Sequence, residues 1–315
     1  MEGHWSRVPL QKLEAVVIVG GAQVTTEALE ACASNGVNVT SLAGNGRVRY
    51  QAGHGMGGNV HLRLRQIQGA LDFRTRDQVA RWLVAGKLAN CRQMLKRWWW
   101  DARSTDRRYM SERQARVAAC SAELVSAADG NAIRGCEGEG TRLYFEGLRR
   151  HLRVAGSKFS FDVRTRRPPR DPVNATLGFV YGLVLGPFAG ALEAVGLDPQ
   201  VGFLHGVRPG RPSLALDVLE EFRPAIADRF VAGLFTRRML TEIDFVTTPG
   251  GACYLAEAGR RKLLYEFDQF KRVEAFHPPL RRAIPRSALP LTQATLMARF
   301  LRGDLPAYAS YVMES

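Results

Sequence analysis

The 315-residue chain is 46% apolar and 9% aromatic, enough to bury one or two sizeable cores, which excludes disorder over its whole length. Its 44 Lys and Arg against 30 Asp and Glu leave a formal charge of +14, more than solubility asks of a metabolic enzyme and suited to a polyanionic partner. Cys32, Cys91, Cys120, Cys136 and Cys253 stand singly with no CxxC pair, so neither a disulfide framework nor a structural zinc site is expected. With no secretory signal among Glu2, His4 and Arg7, a reducing cytoplasm is the expected setting.

In chain order, residues 1–58 read as a small β-rich domain. Leu13 to Val19 and Val37 to Leu42 are β-branched runs, and Thr25 to Cys32 between them has the capped start of a short helix. Asn45-Gly46 ahead of Arg47 to Tyr50 is a hairpin signal, because both central residues of the favoured tight turn need positive φ. Gly53, Gly55 and Gly58 satisfy the spacing of a dinucleotide-binding loop. That reading fails, because helix follows helix where a second parallel strand with an acidic residue is needed. The glycines read better as a connector.

Residues 59–315 carry helical periodicity, starting with Leu62, Ile67, Leu71, Val79, Leu83, Leu88, Leu95 and Trp98. Further helices are expected over 113–128, 141–152, 173–192, 213–222, 225–240, 251–276 and 292–302, giving an all-α second domain and an α+β chain. Pro172 to Leu192 lacks any charge, and Gly178, Gly182, Gly186 and Gly190 recur every fourth residue, as on a membrane dimerisation face. Asn174, Thr176 and Pro187 dilute its hydrophobicity. The glycines are better read as a groove that admits a neighbouring backbone to a buried central helix, and no membrane partner is expected.

The positive charge lies along helices. Arg81 to Arg116 carries ten Lys or Arg against three acids, and Arg149 to Arg170 forms a second basic stretch. One such run alone usually marks a solvated face, but two runs with a global excess favour phosphate binding. His4, His54, His61, His151 and His277 have no carboxylate or cysteine at ligand spacing and are read as packing or surface residues. His205 differs: it ends the apolar run Val201 to Leu204 and precedes a turn-prone loop and a helix expected to be capped by Ser213. On that helix Asp217, Glu220 and Glu221 stand at i, i+3 and i+4. An amphipathic helix with acidic outer residues explains them as well as a divalent cation relieving their repulsion does. In Gly135-Cys136-Glu137-Gly138-Glu139-Gly140 the glycines around Glu137 would allow close approach to another segment or a ligand. A helix-entry acid explains it nearly as well.

Glu137 in its Gly-x-Glu-Gly context, the helix start Asp171-Pro172-Val173-Asn174-Ala175-x-Leu177, and Phe203-Leu204-His205-x11-Asp217-x-x-Glu220-Glu221-Phe222-Arg223-Pro224 occur in this order. Together they closely resemble the CRISPR-associated integrase family that captures new spacers in bacterial adaptive immunity. The resemblance spans most of the chain and implies a metal site of Glu137, His205 and Glu220, with Asp217 as a near neighbour that assists or replaces a ligand. Members carry Asp or Glu at the third position, so Glu220 is within the pattern. Mg²⁺ or Mn²⁺ is the implied cofactor; a histidine ligand suits Mn²⁺ better. The implied reaction is attack by the 3′-hydroxyl of a prespacer on a phosphodiester at the edge of a CRISPR repeat. Partners implied are double-stranded DNA, a second copy of the chain paired through the N-terminal domain, and the small ferredoxin-like protein of the adaptation complex. Arg164, Arg166, Arg167, Arg170, Arg208 and Arg211 are the candidate contacts to the DNA backbone. Members usually open with additional strands before the segment matching Val8-Pro9-Leu10, so a late start, a piece of a longer or fused protein and a shorter variant are the expectations, and pairing through the N-terminal domain is less secure than catalysis. A structure-selective repair nuclease and a non-catalytic basic DNA-binding scaffold are the alternatives.

Overall fold

A computed structural model describes residues 7–13, 15–44, 48–53, 60–102, 104–154, 159 and 161–314. The Asn45-Gly46 turn, Gly55 and Gly58 of the glycine connector, the expected domain boundary at 58, His4, His54 and Lys158 lie outside the described residues. The N-terminal unit is a mixed three-stranded sheet. Strands β1 (Ala15–Val19) and β2 (Asn38–Leu42) run parallel on either side of helix α1 (Thr26–Ser34), and β3 (Val48–Ala52) pairs antiparallel with β2. Thr25 caps α1, its hydroxyl accepting from Ala28 N at 3.2 Å. Side chains alternate along each strand. Val16, Ile18 and Val39 join Cys32 and Val37 in a small core of their own. Val17, Val19 and Leu42 face the other way, into the main core.

The rest of the chain is mainly helical. Helix α2 (Val60–Leu71) leads into α3 (Phe73–Trp100), which packs with α4 (Ser104–Val125) and α5 (Gly130–Val154) as a three-helix layer. Helix α6 (Pro172–Ala194) runs through the centre against α7 (Ser213–Phe222) and α10 (Leu289–Arg302), with α8 (Arg229–Thr236) and α9 (Glu257–Arg272) beside them. Two small ribbons correct the expectation of an all-α second domain. These are β4 (Phe245–Thr247) with β5 (Cys253–Leu255), and β6 (Glu274–His277) with β7 (Arg282–Pro285). The expected helix over 251–276 therefore begins only at Glu257. The turn Pro249-Gly250-Gly251 bends the chain back, Gly251 taking a φ of 73°.

Asp171 caps α6 by accepting from Asn174 N at 2.8 Å, and Pro172 occupies the first helical position, where its missing N–H costs nothing. Among the described residues α6 is the one helix long and apolar enough to cross a membrane, yet 67% of its most apolar window is buried inside the protein. Its glycines explain why. A Cβ at Gly186 would lie 2.8 Å from Thr40 Oγ1 and one at Gly190 2.3 Å from Asn38 Nδ2, so strand β2 lies directly on this face. Gly178 has open space beside it and plays no such part.

His151 lies on α5 with its ring stacked on Trp98 at 5.1 Å, as a packing residue. Burial pushes its imidazole down to about 4. The unfolded imidazole takes its proton near 6.5, so the unfolded state binds more protons between these values and stability falls as pH drops through that window. Urea melts at pH 7 and pH 4 are expected to show a loss of at most about 3 kcal/mol from this group, and the loss is expected to be absent in His151→Phe.

Candidate metal and phosphoryl-transfer site

The site is built on a close helix contact. A Cβ at Gly140 or Gly147 of α5 would each lie 2.2 Å from a Cδ2 methyl, of Leu88 and Leu95 of α3 respectively, seven residues apart on both helices. These leucines sit fully buried in notches that only glycine leaves open, and the two helices meet at short range. The Glu137 segment is therefore mid-helix, and the helix-entry reading is overturned. The close approach brings Glu137 against the ammonium of Lys87, one residue before Leu88. Thr141, one turn on, donates to Glu137 Oε1 at 3.0 Å.

Lys87 also pairs with Glu220 on α7, its Nζ lying 2.6 Å from Oε2. The ammonium thus holds two carboxylates from different helices at one point. Asp217, Glu220 and Glu221 are all buried, which overturns the reading of an acidic outer face. Each has its own partners. Arg223 approaches Glu220 Oε1 at 3.1 Å. Asp217 Oδ2 accepts from Phe203 N at 2.6 Å and Leu204 N at 2.9 Å, and Oδ1 accepts from His205 N at 2.9 Å. The same Oδ1 lies 2.6 Å from His205 Nδ1. Gly202 makes this wrap possible, since a Cβ there would lie 2.7 Å from Asp217 Oδ2 and 2.8 Å from the Ser213 backbone. Ser213 is not the cap expected of it: it is the first helical residue, and its hydroxyl donates to Gly206 O at 3.0 Å to close the loop.

Asp217 fixes the imidazole. A carboxylate only accepts, so it holds the proton on His205 Nδ1 and leaves the Nε2 lone pair on the side of Glu220, whose Oε1 lies 3.9 Å away. His205 and Glu137 are 24% and 25% exposed at the side chain, Lys87 and Glu220 only 4% and 3%, so the cluster opens to solvent on one side over a buried floor. Burial alone would raise the Glu220 carboxyl, but the Arg223 guanidinium and the Lys87 ammonium outweigh it and hold it down at about 2. Burial opposes the charge on Lys87, and Glu220 and Glu137 more than restore it.

Behind the cluster the helix register changes. Pro224 has no N–H to return to Glu220 O, and residues Arg223–Asp228 form a π-helical stretch before α8 resumes. Asp228, buried there, accepts from Tyr181 OH at 2.5 Å, and burial pushes its carboxyl up to about 6. Arg223 and Arg164 both lie over the Tyr181 ring, at 4.9 and 5.4 Å.

Of the arginines singled out for DNA, Arg164 is half-buried and turned inward, donating to Asn174 Oδ1 at 2.8 Å and Thr165 O at 2.6 Å. Its guanidinium belongs to the fold. Arg170 is exposed but donates to Gly250 O at 3.0 Å, Arg211 is half-buried, and Arg166, Arg167 and Arg208 face solvent. Lys87, Arg223, Tyr181 and Asp228 were not among the residues predicted from sequence. Lys87 had a signal, as the single charge in the run Leu83-Val84-Ala85-Gly86-Lys87-Leu88-Ala89-Asn90.

Among the described residues no three His, Cys, Asp or Glu groups stand ready to hold a metal ion, and the Lys87 ammonium pairs with both Glu137 and Glu220. The donor set nevertheless suits a divalent cation. Two carboxylates and a lone-pair imidazole nitrogen face one place where a positive charge already sits, and Glu220 Oε2 there makes an ion pair but no hydrogen bond.

The fold is a basic α+β chain with an N-terminal sheet, a helical body and this histidine and carboxylate cluster. Residues 2–269 match the family model for CRISPR associated protein Cas1, and the chain belongs to that family. It is 38% identical over 307 residues to "CRISPR-associated endonuclease Cas1 1" of Moorella thermoacetica, covering 97% of this chain and 90% of the relative. In fold it resembles a casposase bound to integration product (TM-score 0.69, 22% identity, 96% of this chain and 87% of that one). It also resembles a chain of a Cas6-RT-Cas1–Cas2 complex (TM-score 0.81, 19% identity, 99% of this chain and 33% of that one).

Proposed function

We propose that the protein is a divalent-metal-dependent DNA endonuclease and integrase of CRISPR adaptation, working in the cytoplasm. It joins the 3′-hydroxyl of prespacer DNA to phosphodiesters at the edge of a CRISPR repeat. The observation that carries this reading is the convergence of Glu137, Glu220 and His205 Nε2 at one half-open place, on a chain with 14 surplus positive charges. Membership in a family whose curated relatives are endonucleases supports it, as does the likeness to the casposase.

Glu137, His205 and Glu220 would hold Mg²⁺ or Mn²⁺, which supplies Lewis acidity toward the scissile phosphate when bound. The remaining work falls to the chain. Asp217 keeps the proton on His205 Nδ1 and ties the loop backbone at three consecutive N–H groups, so Nε2 is presented without reorganisation. Arg223 keeps Glu220 ionised in a buried setting. Arg166, Arg167 and Arg208, all exposed, hold the DNA backbone without reading sequence.

The test is joining of a labelled prespacer to a supercoiled repeat plasmid with Mn²⁺ or Mg²⁺. Joined product that disappears with chelator and in Glu137→Ala is expected. Cleavage of branched DNA without joining would favour a repair nuclease, and binding without either reaction a scaffold.

A homodimer and the small ferredoxin-like partner belong to the same proposal, which the Cas1–Cas2 likeness supports. For the homodimer, pairing through the N-terminal domain remains the reading, and helix α2, just after it, offers a surface that would extend the interface. Val60, Leu64, Ile67 and Leu71 recur at helical spacing on one face and are all exposed. Leu64→Arg with Ile67→Arg is expected to convert a dimer to a monomer in size-exclusion chromatography with light scattering, while thermal stability stays within a few degrees. An unchanged dimer would remove α2 from the interface.

A further inference from the structure

A cavity of about 550 Å³ opens between the C-terminal part of α3, the end of α5, and helices α8 and α9. Four arginines line it: Arg97, Arg229, Arg237 and Arg286. Asp101 and Glu266 line it too, leaving the wall two positive charges in excess, and among the described residues none of the four arginines forms an ion pair. Their other contacts are few. Arg286 donates to Phe270 O at 2.9 Å and lies over the Phe270 ring at 4.1 Å, but its Nε is buried with no hydrogen-bond partner. Arg237 reaches only Met239 Sδ at 3.4 Å. Burial first, and then the nearby charges of Arg97 and Arg286, hold the Arg229 guanidinium down at about 10.

Like charges gathered in a half-enclosed space oppose folding, and Asp101 and Glu266 offset only part of them without forming an ion pair among the described residues. The floor is apolar, formed by Trp98, Phe230 and Phe270. Guanidinium groups bind phosphate through paired N–H donors, and their planes and aromatic rings accept a base or sugar. The volume exceeds what a bare ion needs and falls within the range of small-molecule sites. On α3, Arg97 lies ten residues beyond Lys87, about 15 Å along the helix axis, so this cavity is separate from the Glu137–Glu220 cluster.

We propose that this cavity is a second binding site, for the phosphate and base of about one nucleotide. The nucleotide could be a unit of a DNA strand or a free nucleotide, and the two sources are separable. Calorimetric titration of the full chain would use thymidine, thymidine 5′-monophosphate and the 5′-phosphorylated thymidine trinucleotide. Both phosphorylated ligands are expected to bind and thymidine not to. Arg229→Met is expected to weaken binding at least tenfold. Arg97→Gln with Arg237→Gln, at the exposed rim where folding is safe, is expected to weaken it several-fold. Tighter binding of the trinucleotide than of the monophosphate assigns the site to a strand, and equal binding assigns it to a free nucleotide. Loss of binding in the arginine variants places the nucleotide in this cavity and not at the metal cluster. The proposal fails if neither phosphorylated ligand binds, if the arginine variants bind like the wild type, or if Glu137→Ala abolishes binding.

Discussion

His205→Ala and Asp217→Asn are both expected to cripple strand transfer while leaving DNA affinity within a few-fold of wild type. The first removes Nε2, the nitrogen offered beside Glu220, and should lower the joining rate by three orders of magnitude or more. The second leaves that nitrogen in place and removes what aims it. Asp217 accepts from three backbone N–H groups and the His205 ring. An amide keeps one acceptor oxygen and turns an NH₂ toward donors, so the loop loosens and the Nδ1 proton is no longer fixed. Replacing groups that orient metal ligands commonly costs about 10–100-fold in metal affinity or activity. For Asp217→Asn the discriminating readout is the Mn²⁺ concentration giving half-maximal joining, which should rise by about the same factor. A loss of rate at an unchanged Mn²⁺ requirement would mean that Asp217 serves only the fold. A folded and fully active His205→Ala would remove His205 from the site.

Much of the fold was legible because the patterns were local. The strands at Ala15–Val19 and Asn38–Leu42 and the cap at Thr25 follow from β-branched runs and a hydroxyl at the right offset. The glycines of α6 were legible in kind, as a groove: Gly186 and Gly190 meet β2, while Gly178 faces open space. Two features escaped. Gly135 to Gly140 reads as a break by propensity, and helix α5 runs through it because Leu88 and Leu95 fill the notches that its glycines leave, a tertiary gain that outweighs about 1 kcal/mol per glycine. The ribbons β4–β5 and β6–β7 are three or four residues per strand, too short for alternation to stand out from flanking helix.

The site divides the same way. Spacing marked Asp217, Glu220 and Glu221 alike beside His205, and only the resemblance singled out Glu137, His205 and Glu220; spacing could not separate a buried carboxylate that aims a histidine from one that pairs with Lys87. That distinction needs the loop at Gly202, whose missing side chain lets three N–H groups reach Asp217. Lys87 was hidden for a different reason. It lies 50 residues from Glu137 and 133 from Glu220, within a basic run that read as a phosphate-binding surface and not as the floor of a site.

Glu221, beside Glu220 in sequence, is expected to matter for stability rather than chemistry. It points into the core, where Oε1 accepts from Tyr308 OH and from Gln293 Nε2 at 3.2 Å, and Oε2 accepts from Tyr311 N at 2.6 Å. Asn90 of α3 completes the joint, donating to Glu221 O at 2.7 Å and Tyr311 O at 2.8 Å and accepting from Met313 N at 2.8 Å. One carboxylate therefore ties the C-terminal segment to α7, and Asn90 ties both to the helix that carries Lys87. Glu221→Ala would leave the Tyr308 hydroxyl and the Tyr311 backbone N–H buried without acceptors, each costing about 1–3 kcal/mol, beside a new void, while Gln293 Nε2 keeps Tyr308 OH and Ala309 O. The expected loss is about 3–5 kcal/mol in urea unfolding. Glu221→Gln keeps the shape and one acceptor oxygen but turns an NH₂ toward donors, so it should cost about 1–3 kcal/mol, less than Glu221→Ala. Limited proteolysis checks the route: in Glu221→Ala the residues after α10 should become cleavable under native conditions while wild type and Glu221→Gln stay protected. Strand transfer by Glu221→Ala should recover toward wild type at low temperature, where the helix carrying Glu220 is again held in place, whereas no temperature should rescue His205→Ala.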